Sequence, residues 1–207
     1  MPLIRKKQDG DTQTGVWRMT EALTELESRY EIQPAERATY SGFRNDRRRK
    51  EWLTVRILLE ELLGKGVHIS YQPSGKPFLV GSNLFISITH TIGYVGIRLG
   101  VQPVALDMEY KSRRVINLIP HFVSPRETQY IDPADEVTTA LIIWSAKETL
   151  YKRFDFTDVL FDEHLSVRSL VVNGPEGVFT GCVSKDGFYA EVELHYKLSE
   201  DLIIVYC

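Results

Sequence analysis

The stretch VALDME at residues 104–109 most restricts what this chain can build, because it joins an apolar strand to two acids. Side chains two residues apart in a strand point to the same face, so the strand presents Asp107 and Glu109 side by side. Two adjacent carboxylates repel each other, and a bound hard cation relieves that repulsion. The pattern fits either a pair of surface acids at a strand end or a metal site.

Short strands precede this stretch. Residues 84–88 and 94–99 are rich in β-forming residues and are joined by a tight connection, and another turn leads into residues 104–109. We therefore predict an antiparallel meander with residues 104–109 as its third strand. Since the first and third strands of a meander run in the same direction, His90 would lie at the same sheet edge as the two carboxylates. A single histidine at a strand end more often has a structural role.

Two long segments have helical periodicity, residues 46–63 and residues 136–154. A dense basic run, residues 44–50, lies at the N-terminal end of the first helix, where the helix dipole disfavours cations and favours anions. This run is a solvated helix face, a nucleic-acid patch or a local anion site. In the second helix Glu148 and Lys152 share a face, as they would in an ordinary surface ion pair.

Length and composition narrow the class of protein. The 207 residues fit one large domain or two small ones, and a hydrophobic content of 43% supplies a core. A net charge of -3 implies no general attraction to nucleic acid or membranes. Cys182 and Cys207 are too far apart to indicate a disulfide framework or a cysteine metal site. The N-terminus lacks signal-peptide features and no segment approaches about 18 consecutive apolar residues, so we expect a cytoplasmic protein.

The polar connector at residues 111–114 is the predicted boundary between two halves, residues 1–112 and residues 113–207. The second half contains SPRE at residues 124–127, a pattern typical of a helix N-terminus. Residues 160–207 are rich in β-forming residues with glycines in or near the turns. We predict an α+β fold of two similar halves, each a small antiparallel sheet packed with helices.

Six segments, in this order along the chain, resemble motifs of the 4′-phosphopantetheinyl transferase superfamily, specifically its larger, two-half Sfp-type branch. They are RRRKEWLTVR at 47–56, GKP at 75–77, SITHT at 87–91, ALDME at 105–109, FVS at 122–124 followed by Glu127, and WSAKETLYK at 144–152. The resemblance implies a transferase that moves the phosphopantetheine arm of coenzyme A onto a serine of a carrier protein. The product would be adenosine 3′,5′-bisphosphate, and the active cleft would lie between the two halves.

The resemblance also implies roles for individual residues. Asp107, Glu109 and Glu148 would bind Mg²⁺. Glu148 is also the candidate base for the carrier serine, directly or through water, and Lys152 would meet the pyrophosphate. The carboxylate of Glu148 cannot be assigned to one of its two roles from sequence alone.

Coenzyme A would be bound by residues of the first half. The resemblance places Arg47 at a phosphate, Lys76 with Pro77 at the adenosine end, and Thr89 with His90 at the nucleotide phosphates. The register within the basic helix leaves open which arginine makes the phosphate contact.

Two other functions remain compatible with the sequence. The chain could be a non-catalytic module that binds coenzyme A or a carrier protein, although it keeps the full set of charged motif residues. It could also be a small nucleic-acid binder that uses residues 44–50, which the mildly acidic overall charge disfavours. For the transferase we expect a monomer, because one chain supplies both halves.

Overall fold

The computed structural model describes residues 3–207, with side chains from residue 6 onward. The chain divides into two compact units, Met1–Pro103 and Val104–Cys207. Each unit has its own hydrophobic core and combines helices with antiparallel strands, which confirms the predicted α+β class. Within residues 3–207, the structure contains no helix that has both the length and the apolar character needed to cross a bilayer.

From residue 3 onward, the first unit contains a four-stranded antiparallel sheet, a separate hairpin and three α-helices. The sheet has the order β1-β2-β6-β5, with β1 at Leu3–Asp9, β2 at Thr12–Arg18, β5 at Phe85–Thr91 and β6 at Tyr94–Gly100. The hairpin pairs β3 (His68–Tyr71) with β4 (Pro77–Val80). The helices are α1 (Leu23–Arg29), α2 (Arg37–Gly42) and α3 (Asp46–Leu63), and a 3₁₀ turn covers Pro34–Glu36.

Helix α3 has the bounds that its periodicity predicts. The side chain of Asn45 caps it by accepting a hydrogen bond from the backbone N–H of Arg48 at 2.8 Å. Gly64 ends it with a positive φ of 87°. The helix packs closely on β2, where a Cβ on Gly15 would lie 2.8 Å from Leu58. This packing fixes the position of the basic first turn relative to the sheet of the same unit.

The second unit is a five-stranded antiparallel sheet covered on one face by a long helix. The sheet has the order β7-β11-β10-β9-β8, with β7 at Leu106–Tyr110, β8 at Leu165–Arg168, β9 at Glu176–Lys185, β10 at Phe188–Leu198 and β11 at Leu202–Tyr206. Helix α4 (Glu136–Phe154) contacts all five strands. Two 3₁₀ segments, Arg113–His121 and Thr128–Tyr130, lie between β7 and α4.

The predicted meander is wrong in its third strand. Strands β5 and β6 pair as expected, but β7 pairs with β11, placing Asp107 opposite Val205 and Glu109 opposite Ile203. Residues 101–105 are irregular, and Pro103 has no backbone N–H with which to extend the first sheet. The strand that carries both acids therefore belongs to the sheet of the second unit.

The helix predicted to begin at residues 124–127 does not form. The capping contacts are present, since Glu127 accepts hydrogen bonds from the backbone N–H and the hydroxyl of Ser124 at 2.9 and 2.8 Å. The same carboxylate also accepts hydrogen bonds from Lys147 and from the backbone N–H of Val167. These long-range contacts hold Glu127 in the core. The segment therefore forms a turn followed by the short 3₁₀ helix.

Candidate active site

Strand β7 and helix α4 bring four charged side chains together in the second unit. The ammonium of Lys152 donates hydrogen bonds to Asp107 Oδ1 at 2.6 Å and to the backbone carbonyl of Leu106 at 3.3 Å. Glu109 points to the same face of the strand, because its Oε1 accepts a hydrogen bond from the α4 side chain Trp144 at 2.8 Å. Glu148 lies within electrostatic range of both strand carboxylates.

The helix contributes to this cluster through its four-residue spacing. Trp144, Glu148 and Lys152 follow one another at successive turns of α4, so they form a single stripe along the side that meets β7. Burial within the cluster is uneven, since the Lys152 side chain on α4 is 26% exposed and that of Asp107 on β7 only 6%. The lysine therefore reaches from the solvent side toward a buried carboxylate.

The electrostatics of the cluster are those of crowded acids. Burial and, to a smaller extent, the charges of Asp107 and Glu148 together raise the pKa of Glu109 to about 7, and the Trp144 hydrogen bond and the charge of Lys152 oppose the shift. Burial also raises the pKa of Glu148 to about 7, with Asp107 adding to the effect and Lys152 opposing it. One ammonium thus shares a half-buried space with three carboxyl groups, and further positive charge would stabilise their ionised forms.

Lys147, the residue next to Glu148, has no exposed side-chain surface. Its ammonium donates to Glu127 Oε2 at 2.7 Å and to the backbone carbonyls of Phe122 and Phe161 at 2.6 and 2.8 Å. All three ammonium donors therefore have acceptors, as a buried charge requires. This contact set fastens the loops before and after α4 to the helix.

In the first unit a second cluster surrounds Glu51 of α3, whose side chain is 5% exposed. Its carboxylate accepts hydrogen bonds from Arg47 at 2.9 Å and from Arg48 at 3.1 Å. Arg48 also lies 2.9 Å from His90 Nε2. Because an arginine only donates, this ring nitrogen is the acceptor, and the ring Nδ1 faces Glu51 at 3.7 Å. Two arginines thus share one buried counter-ion, and His90, as a neutral ring, lies beside them.

The other residues predicted to bind coenzyme A lie elsewhere in the first unit. Lys76 and Pro77 are half-buried where the turn between β3 and β4 meets β4, and Gly75 adopts a positive φ of 89° in that turn. Thr89 of β5 is buried, with 4% of its surface exposed, next to the exposed His90. Arg49 donates to the backbone carbonyl of Phe43 at 3.1 Å.

Comparison with protein families decides the relationship of this chain. Residues 103–207 match the 4′-phosphopantetheinyl transferase superfamily. The chain belongs to this superfamily. The match covers half of the sequence and includes the strand and the helix that carry the clustered acids and Lys152. A comparison with curated proteins finds no match.

Membership establishes the general chemistry. The chain is a phosphopantetheinyl transferase by family, with coenzyme A and a carrier protein as the partners that the family implies. Members of this superfamily typically use a divalent metal. Throughout residues 3–207, no three acidic, histidine or cysteine side chains are gathered closely enough to hold a metal ion by themselves. The donor set nevertheless fits Mg²⁺, which takes a few carboxylates and completes its shell with water and substrate phosphates.

Three residues that organise these clusters have no role that the sequence alone predicts. Glu51 and Lys147 lie inside motif segments, but nothing in the pattern distinguishes their burial from that of neighbouring surface charges. A lysine on the apolar stripe of a helix is a usable signal, because a charge placed there needs partners. Trp144 also lies inside a motif segment, but its indole N–H contact with Glu109 depends on a strand 35 positions away.

Proposed function

We propose that this chain transfers the 4′-phosphopantetheine arm of coenzyme A to a serine of an acyl or peptidyl carrier protein, as a Mg²⁺-dependent holo-carrier synthase of the Sfp-type branch. The serine oxygen bonds to the phosphorus that carries the pantetheine arm. The bond from that phosphorus to the bridging oxygen breaks, and adenosine 3′,5′-bisphosphate leaves. The proton of the serine hydroxyl passes to a base.

The observation that carries this proposal is the meeting of Asp107, Glu109, Glu148 and Lys152 in one half-buried space. Ionising three acids beside a single lysine in this half-buried space is unfavourable, and the raised pKa values of Glu109 and Glu148 reflect their burial first and the neighbouring negative charge second. Such an arrangement is favourable around a cation and a pyrophosphate. In phosphoryl transfer the protein mainly positions the reacting groups and neutralises the charge of the phosphates.

Asp107, Glu109 and Glu148 would hold Mg²⁺. When bound, the ion would polarise the phosphoryl oxygens and would stabilise the charge on the leaving nucleotide. Lys152 contributes a second positive charge on the side open to solvent and would contact the pyrophosphate. Its present partner, Asp107, is the carboxylate that the family resemblance assigns to the metal.

Glu148 is the proposed base for the carrier serine, directly or through a water molecule. A group with a pKa of about 7 is well matched to accepting and releasing a proton near neutral pH. The assignment competes with the role of Glu148 as a metal ligand, and neighbouring positive charge would lower its pKa.

The first unit would bind the nucleotide end of coenzyme A. Arg47 and His90 belong to the Glu51 cluster, whose exposed arginines offer donors to a phosphate. Lys76 with Pro77, and Thr89, would complete the contacts to the adenosine and its phosphates. These assignments follow the motif match residue by residue.

Asp107→Ala tests the proposal. With coenzyme A, Mg²⁺ and several apo carrier proteins, the unaltered protein should add the mass of phosphopantetheine to the carrier, as measured by mass spectrometry. The Asp107→Ala protein should add none while keeping its circular dichroism spectrum. Glu193→Ala is the matched control, because Glu193 is a 73% exposed acid on β10. Full activity of Asp107→Ala would remove Asp107 from the metal site, and no transfer by the unaltered protein to any carrier would count against the function.

A further inference from the structure

The indole of Trp144 sits in an aromatic slot. The ring centroid of Phe122 lies 5.2 Å from that of Trp144 in an edge-on arrangement, and the ring of Phe161 lies 5.5 Å away at 36°. Contacts with two aromatic rings restrict rotation of the indole. The indole N–H therefore points in a fixed direction, toward Glu109 Oε1 at 2.8 Å.

Lys147 holds this slot together. Its ammonium donates to the backbone carbonyls of the same two phenylalanines that contact the indole, Phe122 and Phe161. Lys147 follows Trp144 by three residues on α4, so the helix that carries the indole also anchors both of its neighbours. The ion pair with buried Glu127 fixes the ammonium in turn. All the contacts that form the slot therefore lie within the second unit.

The hydrogen bond from Trp144 is suited to orienting Glu109 without neutralising it. An indole N–H is a neutral donor with no acceptor capacity. It binds one carboxylate oxygen, Oε1, and leaves the net negative charge of the ionised group in place. A lysine or arginine at the same position would instead compete with a cation for that charge. Among the described residues, no other hydrogen bond to the Glu109 carboxylate is present, which leaves Oε2 for a different partner.

We propose that Trp144 is a positioning residue that fixes which oxygen of Glu109 faces the metal. The inference rests on the proposed role of Glu109 as a Mg²⁺ ligand. Groups that hold a metal ligand in place contribute to metal affinity, and their loss weakens binding by about 10- to 100-fold. The role of Trp144 is therefore in metal affinity rather than in binding coenzyme A.

Trp144→Phe tests this role, because phenylalanine keeps an aromatic ring in the slot and removes the N–H. Calorimetric titration of Mg²⁺ into the protein with coenzyme A should show about tenfold weaker binding. The Mg²⁺ concentration for half-maximal transfer should rise in parallel, while the KM for coenzyme A stays unchanged. Trp52→Phe is the matched control, since the buried Nε1 of Trp52 has no hydrogen-bond partner in the part of the chain that the structure describes. It should leave both quantities unaltered.

A thermodynamic cycle separates positioning from a general packing defect. In a Glu109→Gln background, Trp144→Phe should weaken Mg²⁺ binding no further, because the carboxylate that it orients is gone. Phe161→Leu, which loosens the slot and keeps the N–H, should weaken Mg²⁺ binding by less than Trp144→Phe, and it serves as the test should Trp144→Phe fail to fold. Unchanged Mg²⁺ affinity in both slot variants would overturn the positioning role. Absence of any Mg²⁺ dependence in the unaltered protein would instead overturn the proposed metal site.

Discussion

At the scale of single residues, Lys147 is a charged side chain that lies in the core. Its side chain has no exposed surface, and Glu127 beside it is 1% exposed. Burial lowers the pKa of Lys147, and the charge of Glu127 opposes that shift. The pair connects α4 to the loop at Phe122, to the loop at Phe161 and, through Glu127, to β8 at Val167. Glu148, the next residue, therefore lies on a helix that these contacts hold in place.

Lys147→Met should destabilise the protein strongly. Methionine fills most of the volume but leaves Glu127 as a buried acid without its counter-charge, and breaking such a pair costs about 3–5 kcal/mol. Chemical denaturation followed by circular dichroism would measure the loss in free energy of unfolding. The control is Lys197→Met, which removes a lysine whose ion-pair partner, Glu176, is 66% exposed, and it should change stability by about 1 kcal/mol or less. A loss of similar size in both variants would contradict the structural role of Lys147.

At the scale of elements, the β7–α4 pairing gathers acids whose protonated forms the fold favours. The pKa values of Glu109 and Glu148 are raised from 4.5 to about 7. A carboxyl with a raised folded-state pKa binds its proton more tightly in the folded protein. Its contribution to stability is therefore fully present below the unfolded-state pKa of 4.5 and is lost as the pH rises through about 7.

The metal-free protein should accordingly lose stability between about pH 5 and pH 8. Glu109→Gln and Glu148→Gln should each reduce this loss, because an amide does not ionise. Thermal unfolding in the presence of a chelator would measure it. Added Mg²⁺ should raise the melting temperature more at the higher pH, since metal ligands must be deprotonated. A stability profile that is the same in both glutamine variants and in the unaltered protein would show that these carboxyls do not titrate in this range.

The same elements show what local sequence can predict. Helices α3 and α4 begin and end where the periodicity places them, because that signal acts within a few residues along the chain. The partner of β7 could not be found in this way. Strand pairing depends on contacts distant in sequence, and β7 pairs with a strand whose first residue is 96 positions after its own. The local turn signals therefore favoured the nearer but incorrect partner.

The same difference between local and long-range contacts applies to the candidate site. The two acids of β7 share a face because of strand geometry, and Glu148 and Lys152 share one because of helix geometry, so each pair was visible in the sequence. That Lys152 bonds to Asp107, and that Trp144 bonds to Glu109, depends on how the strand meets the helix. Only the family resemblance brought the two pairs into one hypothesis before the structure showed their proximity.

At the scale of the whole molecule, the chain closes the sheet of its second unit with its last strand. Strand β11 lies between β7 and β10 in the sheet, so it connects the acid-bearing strand to the remaining strands. Leu202, Ile203 and Val205 of this strand are buried, with at most 2% of their surfaces exposed. The position of Asp107 and Glu109 over α4 therefore depends on residues at the far end of the unit.

Removal of residues 202–207 should abolish both the fold of the second unit and transfer. The deletion leaves β7 without its sheet partner. It also exposes the face of α4 that packs against core side chains of β11. Circular dichroism and the carrier mass assay would show the loss together. Cys207→Ala is the matched control, because Cys207 joins the sheet through backbone hydrogen bonds with Ala105, which the substitution keeps. A truncated protein that still unfolds cooperatively and binds Mg²⁺ would show that β11 does not hold the acid-bearing strand in place.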